Sequence, residues 1–398
     1  MPLPRPLLAR AERTVLREVL VHGPLPRAEL ARRLGLSRAT LTRSTRALVN
    51  GHLLTEAAAE RRSATGRPSE MLQLETETYR FLGFKLTGDR LYAVVTDLSA
   101  QVLFSADEPL VTADVADVVA QIAAVTRRAE KERPGITAIG VCLAGDIVYD
   151  GDDPVVMQSA FLGWDGVRLG MLVRQATGYT CAVQNDVLAL TTAEHWFGAG
   201  AGLSSLALIT VGAGIGCGLV MHNAVVAGAH GRAGRLSHVI IDSGGPICGK
   251  GHRGCASSYL VNDAIVRAVG GSTLDYSQVL DKARSGDRAA LRAFEDAGTA
   301  LGSLVAHVVN AIDPEKIILS GDGLAVYEFA AHEVHDALTR NLDAEQHVDL
   351  DVQPFDFSEW ARAGAVLAIT ELFSPTGDVP SHTRRAAAPS DSIAPIAP

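Results

Sequence analysis

A pattern of three apolar strands, an amphipathic helix and a fourth strand occurs twice in this chain. In the first copy, two apolar runs within residues 81–97 flank a glycine turn, and a third run lies at residues 100–104. Apolar side chains then recur at helical spacing over residues 115–133, and residues 136–143 form an apolar strand. This order predicts an α/β lobe built from a meander, a helix and a further strand.

The second copy predicts a second lobe of the same kind. Its elements are a hairpin at residues 206–211 and 217–220, a third strand at residues 239–241, helices between residues 256 and 309, and a strand at residues 316–319. Helices at residues 289–310 and 360–373, apolar on one face, are assigned to this lobe and its hinge. A chain of 398 residues is long enough for two lobes and a small additional domain.

The N-terminal part of the chain is basic, although the formal net charge of the whole is -9. Residues 1–75 contain 13 Arg, no Lys and 7 Glu, which gives a net charge of +6 and leaves -15 on the remainder. Such an asymmetry indicates that one end of the chain binds a polyanion.

The sequence favours a cytoplasmic protein without membrane contact. Arginines interrupt the early apolar runs, so no export signal is predicted. The uncharged run at residues 206–221 contains four glycines and favours a hairpin over a membrane span. Five cysteines, an odd number, favour free thiols or metal ligands over a disulfide framework.

Three short helices are predicted near the N-terminus, at residues 13–21, 27–34 and 38–49. Gly35 is typical of a helix C-terminus, and Ser37 is a good N-cap for the third helix. Two helices joined by a glycine turn, with hydroxyl groups and arginines at the start of the second, favour a helix that enters the major groove of DNA.

The residues predicted to contact DNA are polar side chains of the third helix and of the wing that follows it. They are Ser37, Arg38, Thr40, Thr42, Arg43, Arg46 and Arg67. Guanidinium groups pair with guanine edges and phosphates, and hydroxyl groups bind either. The wing is predicted as two strands, at residues 51–55 and 71–74, with Arg61, Arg62 and Arg67 at its tip. The alternative is that an arginine-rich helix is only a solvated surface.

Short motifs follow one another along the large domain in a fixed order. They are Gly163-Trp164, Gln184-Asn185-Asp186, Thr210 to Gly216, Gly228 through Ala233-Gly234 to His238, Cys248 to Cys255, and Asp313-Pro314 followed by Ser320 to Gly323. In this order and spacing the chain resembles the ROK family of repressors, open reading frames and kinases. The resemblance covers about residues 10–373 and is closest to the regulator branch that includes the xylose and N-acetylglucosamine repressors.

The resemblance implies a winged helix-turn-helix domain at residues 1–75 and a ROK domain at residues 76–373. The ROK domain would have the two-lobed, actin-like sugar-kinase fold, a ribonuclease H-like ATPase fold of the α/β class. Residues 374–398 are rich in Pro, Ala and Ser, and we expect a disordered tail there.

The resemblance also implies that the kinase chemistry is lost. ROK kinases carry Asp-x-Gly-Gly-Thr in their first phosphate loop, where this chain has residues 85–89, beginning with Lys85. Phosphoryl transfer depends on a magnesium ion that this carboxylate helps to manage. Asp186, at the position of the family's general base, is then a relic, and neither catalysis nor ATP is expected. Glycines 212, 214 and 216 match the second phosphate loop, although glycine also serves tight turns.

The sugar pocket of the family is altered as well. Arg235 and Ser257 stand where sugar-binding relatives have glutamates. Since arginine offers only donors and a positive charge, we expect an anionic effector such as a sugar phosphate or sugar acid. The residues expected to hold it are Asn185, Asp186, Arg235 and His238. The alternative is that Arg235 merely fills a vacated pocket.

In the family, one His and three Cys hold a zinc ion. Here His238, Cys248 and Cys255 match, and Lys250 stands at the position of the remaining thiolate. His252 is an available fourth ligand, because three ligands rarely make a closed structural zinc site. Retained zinc is one alternative, and a loop held by ordinary packing is the other.

The predicted function is a transcriptional regulator, in first place a repressor, that binds a roughly palindromic operator in double-stranded DNA as a homodimer or homotetramer. One alternative is an ATP-dependent sugar kinase with a DNA-binding arm. Another keeps the DNA-binding module without an effector, and the large domain then serves only for dimerisation.

Overall fold

The winged-helix domain comes first in the computed structural model, which describes residues 6, 8–57, 70–151, 153–229, 231–270, 274–343 and 347–373. Its elements are α1 (Arg10–His22), β1 (Leu25–Pro26), α2 (Arg27–Leu34), α3 (Arg38–Asn50), β2 (Leu54–Ala57) and β3 (Met71–Leu74). The strands form one antiparallel sheet in the order β1-β3-β2. The three predicted helices are confirmed. The wing tip, with Arg61, Arg62 and Arg67, lies outside the described residues.

The local sequence explains where α2 ends and α3 begins. Gly35 follows α2 in the left-handed conformation, with φ of 61°, and its amide donates to the carbonyl of Ala31. The hydroxyl oxygen of Ser37 accepts a hydrogen bond from the amide of Thr40 at 3.2 Å, which caps α3. The domain core is formed by fully buried leucines from each helix and from the sheet, among them Leu16, Leu30, Leu48 and Leu72.

The first lobe follows the winged-helix domain. Its elements are β4 (Arg80–Leu86), β5 (Arg90–Thr96), β6 (Val102–Pro109), α4 (Val115–Glu132), β7 (Ile136–Leu143), β8 (Asp146–Asp150), β9 (Asp153–Ser159), β10 (Trp164–Val167), α5 (Leu169–Thr177), β11 (Thr180–Asn185) and α6 (Asp186–Phe197). The main sheet has the order β11-β7-β4-β5-β6, in which β11, β7 and β4 are parallel. Strands β8, β9 and β10 form a small antiparallel sheet. The predicted meander, helix and fourth strand are confirmed.

The second lobe repeats this plan. Its elements are β12 (Leu206–Val211), β13 (Ile215–Met221), β14 (Ala224–Val225), α7 (Ser257–Leu260), α8 (Asn262–Ala268), α9 (Tyr276–Arg284), α10 (Arg288–Ile312), β15 (Ile317–Ser320), α11 (Ala325–Asn341) and β16 (Leu350–Val352), and the chain ends its described part in α12 (Phe357–Phe373). The sheet has the order β14-β13-β12-β15-β16. Helix α10 has 25 residues, yet no helix within the described residues is long and apolar enough to cross a membrane.

The predicted third strand of the second lobe, at residues 239–241, is wrong. The third strand is β14, and Ile240 forms only an isolated bridge with Cys255. The backbone of this segment bonds within its own loop: Ile241 donates to the carbonyl of Gly254 at 2.7 Å. An apolar run of three residues therefore joins a loop hairpin instead of the sheet.

The assignment of the last helix to the second lobe and its hinge is also wrong. Helix α12 packs across the sheet of the first lobe, on β4 and β7. A Cβ atom on Gly83 would overlap the carbonyl oxygen of Ala361, and one on Gly140 would overlap that of Gly364. Helix and sheet thus meet backbone to backbone, which only glycine permits.

Candidate ligand cleft, metal cluster and nucleic-acid interface

The outward face of α3 carries arginines that make no ion pair within the described part of the chain. The exposed side chains of this helix include Arg38, Thr42, Arg43 and Arg46. At the start of the helix, the hydroxyl groups of Ser37 and Thr40 lie 3.0 Å apart. On α2, by contrast, Arg32 and Arg33 both pair with Glu29. Unpaired guanidinium groups keep their donors, so the α3 face is able to bind phosphates and base edges.

A cleft of about 1310 Å³ lies between the two lobes. The four residues predicted to hold an effector all line it, namely Asn185, Asp186, Arg235 and His238. Lys85 and Trp360 line it as well. The structure therefore brings the predicted effector residues to one cleft.

Lys85 and Asp186 form a buried ion pair in this cleft. The two residues are 4% and 6% exposed, respectively. The Nζ atom of Lys85 also lies over the indole ring of Trp360, 4.8 Å from its centre. The carboxylate that a general base would offer to a substrate is therefore occupied by an ammonium group of the protein itself.

Asn185 has a structural role at the start of α6. Its Oδ1 atom accepts hydrogen bonds from the amides of Val187 and Leu188, at 3.0 and 3.3 Å, and so caps the helix. Its Nδ2 atom donates to the carbonyl of Gly145 at 3.0 Å. A side-chain amide has two N–H donors, and the second donor of Asn185 has no hydrogen-bond partner among the described residues and is available to a ligand.

An ion pair connects the two lobes at the mouth of the cleft. Arg235, in the loop after β14, pairs with Asp146 at the start of β8. Arg232 lies 3.9 Å from the same carboxylate. Two guanidinium groups therefore face one carboxylate, which leaves a net positive charge at this mouth.

The loop between β12 and β13 is the one that matches the second phosphate loop. The carboxylate of Asp322 lies directly against this loop. Its position is so close that a Cβ atom on Gly212 would overlap it. Asn262 holds it there by donating from Nδ2 to Oδ2 at 3.1 Å. A negative charge at this place disfavours a bound polyphosphate.

Four side chains of the second lobe form a cluster that could hold a metal ion. They are His238, Cys248, His252 and Cys255, and their ligand atoms lie within 4.8 Å of one another. The Nδ1 atom of His238 is 3.5 Å from Sγ of Cys255 and 3.8 Å from Sγ of Cys248. Zn–S and Zn–N bonds of about 2.3 and 2.0 Å in a tetrahedron separate the ligand atoms by about 3.3–3.8 Å. The spacing of the four side chains therefore fits a zinc ion.

The charge state of His238 suits the same role. Burial, together with the neighbouring His252 and Lys250, lowers the pKa of His238. The neutral imidazole that a metal requires is thereby favoured. The structure places His252 together with His238, Cys248 and Cys255.

A family model described as ROK family matches residues 81–366. The chain belongs to the ROK family. A second model, described as winged helix-turn-helix DNA-binding, matches residues 8–55. The predicted family and the predicted N-terminal fold are thus confirmed.

Individual relatives of this ROK protein match over most of its length. The xylose repressor of Bacillus spizizenii is 25% identical over 316 residues, 77% of this chain and 81% of that repressor. The DNA-binding transcriptional repressor Mlc of Escherichia coli is 23% identical over 88% of this chain and 91% of its own. A solved ROK family transcriptional regulator, described as a homologue of Mlc, is 25% identical, covers 91% of this chain and 96% of its own, and superposes with a TM-score of 0.77.

The sequence did not reveal three side chains of the ROK cleft, Asp146, Asp322 and Trp360. The position of Asp146 in the sequence could have indicated a cleft residue. It closely follows the buried strand β7, and ligands bind α/β sheets at the carboxyl ends of their strands. Asp322 lies within a recognised glycine motif but looks like a turn residue there. Trp360 carries no local signal, since only the packing of α12 on the first sheet brings it to Lys85.

The buried pair predicts a large stability effect at Lys85. Lys85→Met leaves the carboxylate of Asp186 buried without a partner, and we expect the free energy of unfolding to fall by about 3–5 kcal/mol. The double variant Lys85→Met/Asp186→Asn removes both charges and should recover most of this loss. Urea unfolding followed by circular dichroism measures the three proteins.

Lys316→Met is the matched control. Lys316 pairs with Asp349 at the surface, where the carboxylate is 51% exposed, so its loss should cost less than about 1 kcal/mol. Equal losses for the two single variants would contradict the role given to the buried pair.

Proposed function

We propose that this ROK protein is a transcriptional regulator that binds operator DNA through the outward face of α3 and responds to an anionic ligand in the cleft between its lobes. The observation that carries the proposal is a winged helix joined to a kinase-like cleft. The arginines of α3 make no ion pair within the described residues, and in the cleft the ammonium group of Lys85 pairs with the carboxylate of Asp186. The xylose repressor and Mlc are repressors by name, so repression is the proposed direction of control.

The proposed DNA contacts follow from the exposure of the side chains on α3. Arg43 and Arg46 are assigned to base edges and phosphates, with Arg38 and Thr42 beside them. Ser37 and Thr40, at the start of the helix, are assigned to phosphate or base contacts, and Arg67 of the wing stays in the proposed set. One winged helix contacts too few base pairs for selectivity in a genome, so a homodimer on a roughly two-fold symmetric site is part of the proposal.

The proposed ligand is a sugar phosphate or a sugar acid. Arg235 is 56% exposed and pairs with Asp146 across the cleft, which argues against a mere space-filling role. With Arg232 close by, the mouth of the cleft carries excess positive charge that an anion would neutralise. Asn185 and His238 line the same cleft and supply donors for hydroxyl groups.

Phosphoryl transfer is not part of the proposed function. Lys85 takes the position of the carboxylate that manages magnesium in ROK kinases, and it neutralises the carboxylate of Asp186. Asp322 places a further negative charge on the second phosphate loop. With an ammonium group at the position of the magnesium-binding carboxylate and an anion on the loop, the cleft lacks what ATP-dependent transfer needs.

We assign His238, Cys248, His252 and Cys255 to a structural zinc ion. Four side-chain ligands close a tetrahedral site, and a closed site stabilises a loop without offering a position for catalysis. The ion would then hold the loop that carries His238 at the edge of the cleft.

Selection of genomic DNA fragments by the purified protein tests the regulator. We expect a shared, roughly two-fold symmetric site, and Arg43→Ala/Arg46→Ala should lower the affinity for it by about a hundredfold or more. The matched control is Arg32→Ala/Arg33→Ala, which removes two charges from the paired face of α2 and should retain the site. Each protein is measured at two salt concentrations. Recovery of only salt-sensitive, unspecific fragments would argue against the proposal.

Calorimetric titration with a hexose and with its phosphate tests the ligand class. We expect the phosphate to bind about tenfold more tightly, because charge-assisted hydrogen bonds from arginine are stronger than neutral ones. Arg235→Ala should remove this preference, whereas Arg168→Ala, which changes an arginine paired with Asp150 within the first lobe, should retain it. Tighter binding of the neutral hexose would exclude an anionic ligand.

Metal analysis of protein purified without a histidine tag tests the zinc site. We expect close to one equivalent of zinc per chain, and Cys255→Ser should reduce it to less than about a tenth. Cys181→Ser changes a cysteine outside the cluster and is the matched control. Less than about a tenth of an equivalent in the unchanged protein would show that packing alone holds the loop.

A further inference from the structure

Arg17 of α1 contacts the large domain at two places. Its Nη2 atom donates a hydrogen bond to the carbonyl of Asn223 at 2.7 Å. Its guanidinium group also lies over the ring of Trp196, 5.3 Å from the ring centre. Trp196 belongs to the last turn of α6, and Asn223 lies in the turn between β13 and β14. One side chain of the winged-helix domain therefore holds the ends of two elements of the large domain.

Both of these elements begin in the cleft. Helix α6 starts at Asp186, the partner of Lys85, and its 12 residues span about 18 Å. Strand β13 starts at Ile215, which lines the cleft, and its 7 residues span about 23 Å. The two elements thus run from the cleft to the winged-helix domain and end at Arg17.

The contact between the two elements is close enough to transmit a displacement. A Cβ atom on Gly216 would overlap the side chain of Val187, and one on Gly218 would overlap that of Thr191. Close-packed interiors deform little, so a shift at one end of such a unit reaches the other. At the far end, the turn is held by a hydrogen bond from the amide of Asn223 to the carbonyl of Ser204 at 2.9 Å.

The winged-helix domain has a separate attachment to the first lobe. The hydroxyl group of Tyr79, next to β4, donates to the carbonyl of Gly51 at the end of α3, at 2.8 Å. Trp196 belongs to the first lobe as well, whereas Asn223 belongs to the second, so a change in the angle between the lobes alters the separation of Asn223 from the other two contacts. The domain that carries α3 must then rotate or lose one of them.

We propose that Arg17 is the positioning residue through which the arrangement of the two lobes sets the orientation of α3. The inference rests on the proposed function, because it concerns the control of DNA binding. It predicts that a disturbance at the mouth of the cleft changes DNA affinity only while Arg17 is present.

A charge reversal at the mouth of the cleft can disturb the arrangement of the two lobes without any ligand. Asp146→Arg places a third guanidinium group beside Arg232 and Arg235 and repels the second lobe. The control Asp150→Arg makes the same charge change in the same strand, at a residue whose partner Arg168 belongs to the first lobe. Each variant is combined with Arg17→Gln and with Arg10→Gln, which removes an exposed charge of α1 that makes no ion pair within the described residues.

The dissociation constant for the selected DNA fragment is the first readout. We expect Asp146→Arg to shift it by about fivefold or more and Asp150→Arg by less than about twofold. Arg17→Gln should abolish the shift, Arg10→Gln should retain it, and Arg17→Lys should restore it in part. Distant, independent residues have additive effects, so an equal shift with and without Arg17 would overturn the inference. Absence of any shift in the protein with Arg17 would overturn it as well.

Hydrogen exchange of the α1 amides without DNA is the second readout. We expect Asp146→Arg to change exchange in α1 when Arg17 is present and to leave it unchanged after Arg17→Gln. If no variant binds specific DNA but this pattern is found, the proposed regulator fails and the coupling stands. If the protein binds specific DNA but Asp146→Arg leaves hydrogen exchange in α1 unchanged, the coupling fails and the proposed regulator stands.

Discussion

The backbone contact between α12 and the first sheet determines much of the cleft. It is made by glycines on both sides, Gly83, Gly140 and Gly364. Because no side chain separates the two layers, the position of α12 along the sheet is fixed. Two residues near its start are fixed with it: Trp360 comes to lie beside Lys85, and Arg362 comes within 4.0 Å of Glu194 in α6. One contact without side chains thus places the side chains around both ends of α6.

The pair of Lys85 and Asp186 explains how the kinase-like cleft can keep a buried carboxylate. A buried carboxylate needs a positive partner, since burial of an isolated charge costs several kcal/mol. In this chain the ammonium group of Lys85 supplies that partner from within the protein. The indole ring of Trp360 adds an electrostatic contact on the other side of the same group. In the proposed function, Lys85 therefore removes a requirement of phosphoryl transfer and also provides the charge that the carboxylate of Asp186 needs.

The parts of the structure that could be predicted from the sequence are those governed by local rules. Apolar spacing, Gly35 and the Ser37 cap determine α2 and α3, and the alternation of strands and helices reveals both lobes. The failures concern long-range choices. The amphipathic pattern of α12 shows that the helix packs on something, but it does not show on which sheet. The apolar run at residues 239–241 has strand-like composition, yet its hydrogen-bonding partners lie in the loop near Cys255.

In the candidate site, too, local motifs could be predicted from the sequence and long-range pairings could not. Lys85 and Asp186 could each be singled out in a motif, but they are 101 residues apart and their pairing is found only in the folded chain. Arg235 was expected in the cleft, but Asp146 carries no motif that would mark it as the partner. Arginine and aspartate are common surface residues, so their pairing between lobes is decided by how the lobes face each other. Ion pairs that join separate segments are therefore the part of this site that a single sequence reveals least.

The strengths of the contacts differ in a way that suits control of DNA binding. The pair of Lys85 and Asp186 is buried, and breaking it would cost about 3–5 kcal/mol, more than a typical coupling free energy of about 1–3 kcal/mol. The contacts of Arg17 are exposed: a cation–π contact there contributes about 0.5–1 kcal/mol. A contact of that size can be lost or reformed by a modest change between the lobes. The buried pair then holds α6 to the first lobe, while the exposed contacts of Arg17 respond when the two lobes move relative to each other.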